Sequence, residues 1–268
     1  MELEDVFLER YSRNIILQEV GVEGQIKIRN SSVLVVGAGG LGSPAILYLA
    51  AAGVGKIGIV DFDNVDITNL QRQIIHFTGD IGKPKVFSAK EKASALNPGI
   101  EIETYKTMLS SKNIRDIIRN YDFIIDGTDN FRSKFLINDA CYFENKPYSH
   151  GGILRFEGQT MTVIPRKTAC YRCIFDAPPE SGSVPTCSQA GVLGCIAGIL
   201  GTIQAAEALK YIINVGELLC NSLLAFDAKS FCFRKIKLNK NRKCRLCGSN
   251  PLINSLEDEE DVLCNLRK

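Results

Sequence analysis

The sequence has few histidines and little net charge, and both absences narrow the range of functions. The only two histidines, His76 and His150, have no carboxylate or cysteine at a spacing that suggests a catalytic or metal-binding pair. Both are therefore interpreted as structural. The formal net charge is only +2. The chain therefore lacks the strong positive field that would predict binding to nucleic acid or to an anionic lipid surface.

Long apolar runs are also missing. Residues 1–5 are acidic and contain no apolar signal-peptide core. The longest apolar run, residues 190–203, is shorter than the roughly 20 residues that span a bilayer. It continues into Gln204, Glu207 and Lys210, which predicts a core or subunit-interface helix. We therefore expect a cytoplasmic protein with no membrane partner.

Cysteine, in contrast, is frequent, with 10 in the chain. In the absence of a secretion signal, cysteines more often bind metal or carry out chemistry than form disulfides. Cys170 and Cys173 form one C-x-x-C pair, and Cys244 and Cys247 form another. Together the pairs can supply four thiolates to a tetrahedral zinc, which would be structural because no position is left for water. Four unrelated buried cysteines, or a redox pair, are the alternatives.

A further cysteine, Cys187, follows a segment rich in proline, serine and glycine and precedes a predicted helix. A helix N-terminus lowers the pKa of a thiol and favours the nucleophilic thiolate. Cys187 is therefore a candidate nucleophile, with a non-essential thiol as the alternative.

Predicted strands and helices alternate in the first half of the chain. Four predicted strands alternate with four predicted helices. The strands are at residues 32–37, 56–61, 100–105 and 122–126, and the helices are at 42–53, 83–97, 111–120 and 131–144. This order predicts an α/β fold with a Rossmann-like, doubly wound, mostly parallel sheet. A hairpin at residues 153–164, turning near Glu157, and strands at 223–227 and 230–238 are expected to extend the sheet in antiparallel fashion.

A glycine-rich turn follows the first predicted strand. Gly37, Gly39 and Gly42 satisfy G-x-G-x-x-G, in which glycines allow backbone to approach phosphate closely and the helix N-terminus adds free N–H groups. Asp61 ends the second strand, 19 residues after Gly42, where an acidic residue can bind a ribose hydroxyl. These features alone fit a nicotinamide-dependent oxidoreductase as well as an ATP-dependent enzyme.

The polar residues that follow favour a triphosphate over a nicotinamide. The segment DFDNVDITNLQRQ, residues 61–73, contains three aspartates and Arg72, and Lys85 begins a later helix. Cations near a triphosphate stabilise charge that shifts between its oxygens. Asp129 lies just past the carboxyl end of a strand, where ligands bind in this fold and a carboxylate can hold Mg²⁺.

Together these stretches resemble the MoeB/ThiF/HesA family, the bacterial relatives of ubiquitin-activating enzymes. The resemblance extends from about residue 8 to about residue 248. It rests on RYSRNIIL, VVGAGGLGSPAILYLAAAGVG, DFDNVDITNLQRQ, GKPK, TDN, CYRC, TCSQAGV and CRLC.

The resemblance implies that the protein adenylates the C-terminal glycine of a small ubiquitin-like sulfur carrier that ends in Gly-Gly. The carrier carboxylate would attack the α-phosphate of Mg·ATP, and pyrophosphate would leave. The implied cofactors are Mg²⁺ and Zn²⁺ beside ATP. The implied partners are the carrier, a sulfur donor such as a cysteine desulfurase, and a second copy of the chain in a homodimer.

The resemblance also implies roles for individual residues. Gly40 would lie against the nucleotide, and Asp61 would bind its ribose. Lys85 would neutralise phosphate charge, while Asp129 and Asn130 would organise the metal and the triphosphate. The residues that would line the phosphates are Thr68, Asn69, Leu70, Gln71 and Arg72.

Two roles come from the resemblance alone. Arg13 would reach the phosphates bound by the other subunit, and Cys187 would form a covalent link to the carrier.

Residues 1–248 would form one domain, with a nucleotide-binding half at about 30–150 and a carrier-binding, zinc-bearing half at about 151–248. Residues 249–268 are expected to form a flexible acidic tail.

Other functions remain open at this stage. The chain can be a non-catalytic scaffold, it can adenylate a peptide or a tRNA base, or it can be the oxidoreductase considered above. The sequence does not separate the thiamin from the molybdopterin branch of the family, and a carrier for other sulfur metabolites is a third branch.

Overall fold

The fold is organised around one eight-stranded sheet, seen in a computed structural model that describes residues 3–179 and 190–258. The strand order is β3-β2-β1-β4-β5-β6-β7-β8. The strands are β1 (Ser32–Val36), β2 (Lys56–Val60), β3 (Glu101–Tyr105), β4 (Phe123–Asp126), β5 (Tyr148–Leu154), β6 (Glu157–Val163), β7 (Ser222–Asp227) and β8 (Cys232–Lys237).

The sheet has a parallel half and an antiparallel half. Strands β3, β2, β1, β4 and β5 pair in parallel, whereas β6, β7 and β8 each pair antiparallel to the preceding strand. This confirms the predicted α/β class with a mostly parallel sheet extended by antiparallel strands. The carboxyl ends of β1, β2, β4 and β5 therefore lie at one edge, where ligands bind in such sheets.

Helices cover both faces of the sheet. They are α1 (Leu3–Arg10), α2 (Ser12–Ile15), α3 (Gly21–Arg29), α4 (Gly42–Ala52), α5 (Lys85–Leu96), α6 (Ile114–Ile118), α7 (Phe131–Phe143) and α8 (Gly194–Ile213). Residues of α3, α4, α5 and α8 share one apolar core, and residues of α6 and α7 share the other.

The sequence of β1 shows why the sheet is buried on both faces. Val33 and Val35 contribute to the core under α4, while Leu34 and Val36 contribute to the core under α7. A continuous apolar run is the pattern of a parallel strand covered by helices on both sides.

Helix α8 is long and apolar enough to cross a membrane, but polar contacts join it to the sheet. Buried Gln204 donates through Nε2 to the carbonyl oxygens of Asp126 (2.8 Å) and Ser149 (3.0 Å). Buried Glu207 accepts a hydrogen bond of 2.6 Å from the Thr162 hydroxyl. These contacts make α8 a helix of the protein core.

The structure corrects two predicted elements. The hairpin begins earlier than expected, because Tyr148 already pairs in parallel with Ile124. Its turn lies at Arg155 and Phe156, with Arg155 at a positive φ of 56°, so Glu157 belongs to β6. The helix predicted at residues 111–120 is shorter, because Asn113 uses its side chain to accept from the Ser110 N–H before α6 begins.

The described part of the predicted tail, residues 249–258, packs back onto the domain. Ile253 and Leu256 contact the core that contains α6 and α7. The Asp258 carboxylate accepts hydrogen bonds of 2.9 Å from both the backbone N–H and the hydroxyl of Ser111. The remainder of the predicted tail lies outside the described residues.

The glycine turn between β1 and α4 depends on close backbone contact. A Cβ atom added to Gly42 would lie 1.8 Å from the carbonyl oxygen of Gly37. A Cβ atom added to Gly39 would meet nothing closer than Gln73 Nε2 at 3.7 Å. A methyl group at Gly42 would therefore clash with the backbone of the turn, whereas a methyl group at Gly39 would fit.

We predict that Gly42→Ala lowers the free energy of unfolding by about 1–3 kcal/mol, because backbone must move to admit the methyl group. Gly39→Ala is the matched control and should unfold close to the wild-type midpoint. Chemical denaturation of the three proteins measures the difference. Equal midpoints for Gly42→Ala and the wild type would contradict this packing argument.

Candidate functional site

A cavity of about 1490 Å³ opens at the carboxyl edge of the parallel strands and continues over the antiparallel half. One end is lined by the glycine turn and by residues after β2 and β4, including Asp61 and Asp129. The other end is lined by residues of β5, β6 and β7, including His150, Gly152 and Gln159. The cavity therefore has a glycine-turn end and a β5–β7 end.

The glycine turn and Asp61 form one unit. Gly37 has a φ of 92°, and a Cβ atom there would lie 2.9 Å from the Gly127 carbonyl oxygen, so the loops after β1 and β4 touch. Asp61 Oδ2 accepts a hydrogen bond of 2.8 Å from the Ala38 N–H, within the turn. Burial raises the pKa of Asp61 above its ordinary value, although the nearby charge of Lys85 opposes the rise.

Two cations face this end of the cavity. Lys85 Nζ lies 2.9 Å from Asp63 Oδ2, and its side chain is only 7% exposed. Arg72 donates through a guanidinium nitrogen to the Thr68 carbonyl oxygen at 3.0 Å. Its aliphatic part lies against Gly40, where a Cβ atom would sit 3.5 Å from Arg72 Cγ. The structure thus brings Gly40, Arg72 and Lys85 to the glycine-turn end.

Of the residues expected along the phosphates, only Arg72 lines the described cavity. Thr68 donates through its hydroxyl to Asp66 Oδ1 at 2.6 Å, and Asn69 Oδ1 accepts from the Asp66 N–H at 3.1 Å. These hydrogen bonds cap the short helix Ile67–Asn69, so the polar atoms of Thr68 and Asn69 are used within that turn. Leu70 and Gln71 also lie off the lining, whereas Gln73, which sequence reasoning missed, lies on it.

The loop after β4 carries the expected metal-binding residues. Asp129 and Asn130 both line the cavity, and both are exposed. Asn130 Oδ1 also accepts a hydrogen bond of 2.9 Å from the Ser133 N–H and so caps α7. The Asp129 carboxylate is thus placed at the mouth of the cavity, where a hydrated cation can reach it.

Among the described residues, one predicted catalytic residue is not brought to this cavity. Arg13 is exposed on α2 and is absent from the cavity lining. Cys187 lies outside the described residues.

Below the cavity, the buried carboxylate of Asp126 contacts the side chains of Lys134 and His150. Asp126 Oδ2 lies 3.2 Å from Lys134 Nζ and 2.9 Å from His150 Nδ1. Lys134 also donates to the carbonyl oxygens of Thr128 (2.7 Å) and Gly151 (2.6 Å). Burial opposes ionisation of Asp126, but Lys134 and the hydrogen bond from His150 outweigh it and lower its pKa to about 2.

His150 has a carboxylate partner, Asp126, at a sequence spacing that did not suggest one. Asp126 and His150 are 24 residues apart, but they are register partners on the parallel strands β4 and β5. Asp126 ends a predicted strand, but His150 lies in no predicted strand, so the sequence carried no local signal for this contact. His76 fits its structural interpretation, because its ring nitrogens lie 2.8 Å from Ser88 Oγ and 2.9 Å from the Ala38 carbonyl oxygen.

The two C-x-x-C pairs come together in space. Cys170 Sγ lies 3.8 Å from Cys173 Sγ, 3.7 Å from Cys244 Sγ and 3.4 Å from Cys247 Sγ. All four sulfur atoms lie within 4.8 Å of one another. Thiolates at 2.3 Å from a tetrahedral zinc are about 3.8 Å apart, so this cluster has the size and the donor set of a zinc site.

Comparison with known proteins places this architecture in a family. Residues 11–246 match the ThiF family. The chain is 43% identical over 265 residues to the Sulfur carrier protein adenylyltransferase of Thermus thermophilus, covering 97% of each chain. It is 44% identical over 262 residues to the SAMP-activating enzyme E1 of Haloferax volcanii, covering 98% of this chain and 96% of the relative.

A longer relative and a solved structure extend the comparison. The Adenylyltransferase and sulfurtransferase MOCS3 of Anopheles gambiae is 45% identical over 261 residues, and the chain spans 59% of its length. A crystal structure of E. coli MccB with ATP shares the fold, with a TM-score of 0.80 and 24% identity over 89% of this chain and 73% of that one. The family match and the full-length relatives together show that the chain belongs to the ThiF family.

Proposed function

We propose that this protein adenylates the C-terminal glycine of a small ubiquitin-like sulfur-carrier protein at the expense of ATP. The observation that carries the proposal is the single cavity that joins the glycine turn, Asp61, Lys85 and Asp129 to a second end over β5–β7. One end offers backbone and cations to a nucleotide, and the other has room for an acceptor. The names of the Thermus and Haloferax relatives support the same activity.

The nucleotide is proposed to lie at the glycine-turn end. The N–H groups of the turn and the N-terminus of α4 face phosphate, and Gly40 allows close contact. Asp61 is held beside the turn by the Ala38 N–H and accepts from a ribose hydroxyl. Lys85 and Arg72 balance the charge of the phosphates, and Lys85 exchanges its Asp63 partner for a phosphate oxygen.

Asp129 is proposed to hold Mg²⁺, with Asn130 beside it. Mg²⁺ binds through one or two carboxylates and the phosphates of the substrate, so an exposed carboxylate at the mouth of the cavity fits its chemistry. When bound, the ion neutralises phosphate charge. The turn that positions Arg72 is proposed to support the phosphate-binding end of the cavity. Its residues are Thr68, Asn69, Leu70 and Gln71.

In the proposed reaction, a carboxylate oxygen of the carrier attacks the α-phosphorus of ATP. The bond from that phosphorus to the bridging oxygen breaks, and pyrophosphate leaves with the electron pair. No proton transfer is needed, since the carrier carboxylate is ionised at neutral pH. The product is an acyl-adenylate that is activated for sulfur transfer.

The remaining parts of the proposal concern assembly and sulfur. We propose a homodimer in which Arg13, exposed on α2, reaches the phosphates bound by the other subunit. The Cys187 thiolate is proposed to attack the acyl carbon of the carrier adenylate, so that a thioester forms while the bond to AMP breaks and AMP leaves. A separate protein such as a cysteine desulfurase supplies the sulfur. We propose that the protein acts in the cytoplasm, in the thiamin branch, in the molybdopterin branch or with a carrier for other sulfur metabolites.

The division of the chain follows the same logic. Residues of about 30–150 form the proposed nucleotide-binding half, and about 151–248 form the carrier-binding, zinc-bearing half. Cys244 and Cys247 lie in the core that contains α7, so a zinc held by all four cysteines joins the C-terminal segment to the body of the domain.

We predict that Asp129→Asn lowers carrier-dependent ATP–pyrophosphate exchange by about 100-fold or more, because the phosphates lose the carboxylate that holds their cation. Asp116→Asn is the matched control, because Asp116 is exposed on α6 and pairs only with nearby Arg119 among the described residues. Both variants should unfold at the wild-type temperature. An Asp129→Asn enzyme with wild-type exchange would remove Asp129 from the reaction.

The in-trans role of Arg13 predicts complementation. Arg13→Ala and Asp129→Asn should each be inactive alone, while a mixture refolded together should recover about a quarter of the wild-type exchange rate, since half of the dimers carry one intact site. Mixing without subunit exchange is the control. No recovery in verified mixed dimers would place Arg13 in the site of its own subunit, and an active Arg13→Ala protein would place it outside the reaction.

We predict about one zinc per chain, bound by Cys170, Cys173, Cys244 and Cys247. Cys244→Ser should lose the zinc and unfold at a lower temperature, because the C-terminal segment is released from the core. Cys232→Ser should keep its zinc, because Cys232 is exposed and lies outside the cluster. Elemental analysis measures the metal, and zinc-free wild-type protein would refute the assignment.

A further inference from the structure

His150 presents a buried nitrogen for which the described residues provide no partner. Its side chain is only 1% exposed, and its Nδ1 atom lies 2.9 Å from Asp126 Oδ2. No polar atom of the described residues forms a hydrogen bond with its Nε2 atom. Buried polar atoms in native proteins are almost always hydrogen-bonded, so an orphan atom at a cavity wall is a place where a molecule in the cavity can donate a hydrogen bond.

The surroundings of His150 fix what this nitrogen can do. Asp126 is ionised and can only accept, so Nδ1 carries the proton of the imidazole. Burial and the charge of Lys134 lower the pKa of His150, which keeps the ring neutral. Nε2 therefore exposes a lone pair and must receive a hydrogen from a donor.

The charged groups around His150 are already paired. Lys134 donates to Asp126 and to the carbonyl oxygens of Thr128 and Gly151. The Tyr171 ring packs on the imidazole, with centroids 4.7 Å apart. The nearby Arg172 and Asp139 pair with each other at 2.8 Å. These contacts leave Nε2 available to a molecule in the cavity.

The position of His150 separates it from the proposed ribose site. His150 lies on β5, whereas Asp61, the proposed ribose ligand, follows β2, and β1 and β4 lie between the two strands. Phosphate and carboxylate oxygens only accept hydrogen bonds, so they cannot satisfy the lone pair of Nε2. A Cβ atom on Gly152 would lie 3.6 Å from His150 Nε2 and 3.6 Å from Gln159 Nε2, so Gly152 and the Gln159 side chain border the space beside Nε2.

We infer that His150 Nε2 accepts a hydrogen bond from a backbone N–H in the C-terminal Gly-Gly segment of the acceptor protein. This inference rests on the proposed function. An extended glycine segment offers no side-chain donor, so its backbone N–H groups are the donors that it can bring into the cavity. His150 is therefore a positioning residue, which holds the segment while the terminal carboxylate faces the α-phosphate.

Two substitutions separate this role from a structural one. In His150→Asn, the side-chain amide can still donate to Asp126, but no acceptor reaches the position of Nε2. In His150→Gln, the longer side chain can place its carbonyl oxygen near that position. We expect His150→Asn to raise the KM for the carrier about tenfold in ATP–pyrophosphate exchange, with the KM for ATP unchanged, and His150→Gln to recover most of the loss.

Each outcome of that assay is decisive. An unchanged carrier KM in His150→Asn, or an equal rise in the KM for ATP, overturns the inference while the proposed function stands. If the folded, zinc-loaded wild type shows no exchange with thiamin-type or molybdopterin-type carriers, the proposed function fails and the inference falls with it. Thermal unfolding of both variants shows whether a loss reflects folding, and a loss shared by Asn and Gln through instability also counts against the inference.

A spectroscopic measurement on the wild type tests the contact directly, because the chain has only two histidines. His76 faces a carbonyl oxygen through Nε2, so it is protonated there, whereas His150 is protonated at Nδ1. In ¹⁵N-histidine NMR, adding the carrier should shift the Nε2 signal of His150 and leave His76 unchanged. A His150 shift caused by ATP alone, or no shift with the carrier bound, would overturn the inference.

Discussion

The fully buried carboxylate of Asp126 joins β4 to β5 and to α7, and the rest of the site depends on it. Asp126 ends β4 and binds Lys134 from α7 and His150 from β5. Its carbonyl oxygen accepts from Gln204 of α8. Removing Lys134 would leave the buried carboxylate without its cation, which costs about 3–5 kcal/mol. The network therefore fixes the strand ends that form the floor of the cavity.

The two ends of the cavity are built by different means. The glycine-turn end is shaped mainly by backbone contacts. The Ala38 N–H binds Asp61, and the close approach of Gly37 to Gly127 fixes the loops after β1 and β4. At the β5–β7 end, side chains from helices on both faces converge on one strand. A nucleotide needs the first arrangement, and an extended acceptor segment fits the second.

The sequence predicted what local patterns determine. The glycine turn, the first four strands and α4 came within one or two residues, because apolar runs and glycine spacing are local signals. The Cys170 and Cys244 pairs were also predicted to meet, since their spacing carries metal-binding chemistry. The Asp126–His150 contact was missed because it depends on register between strands 24 residues apart. The folded segment 249–258 was missed because its few apolar residues, Ile253 and Leu256, stand among polar and acidic ones.

The measurement that tests the central claim most directly is intact mass spectrometry of the carrier in a single turnover. Purified protein is mixed with Mg·ATP and a carrier that ends in Gly-Gly, in the absence of a sulfur donor. The account predicts a carrier whose mass has increased by one adenylate, together with an equal amount of pyrophosphate. An unmodified carrier beside folded protein with bound zinc and bound nucleotide would contradict the account.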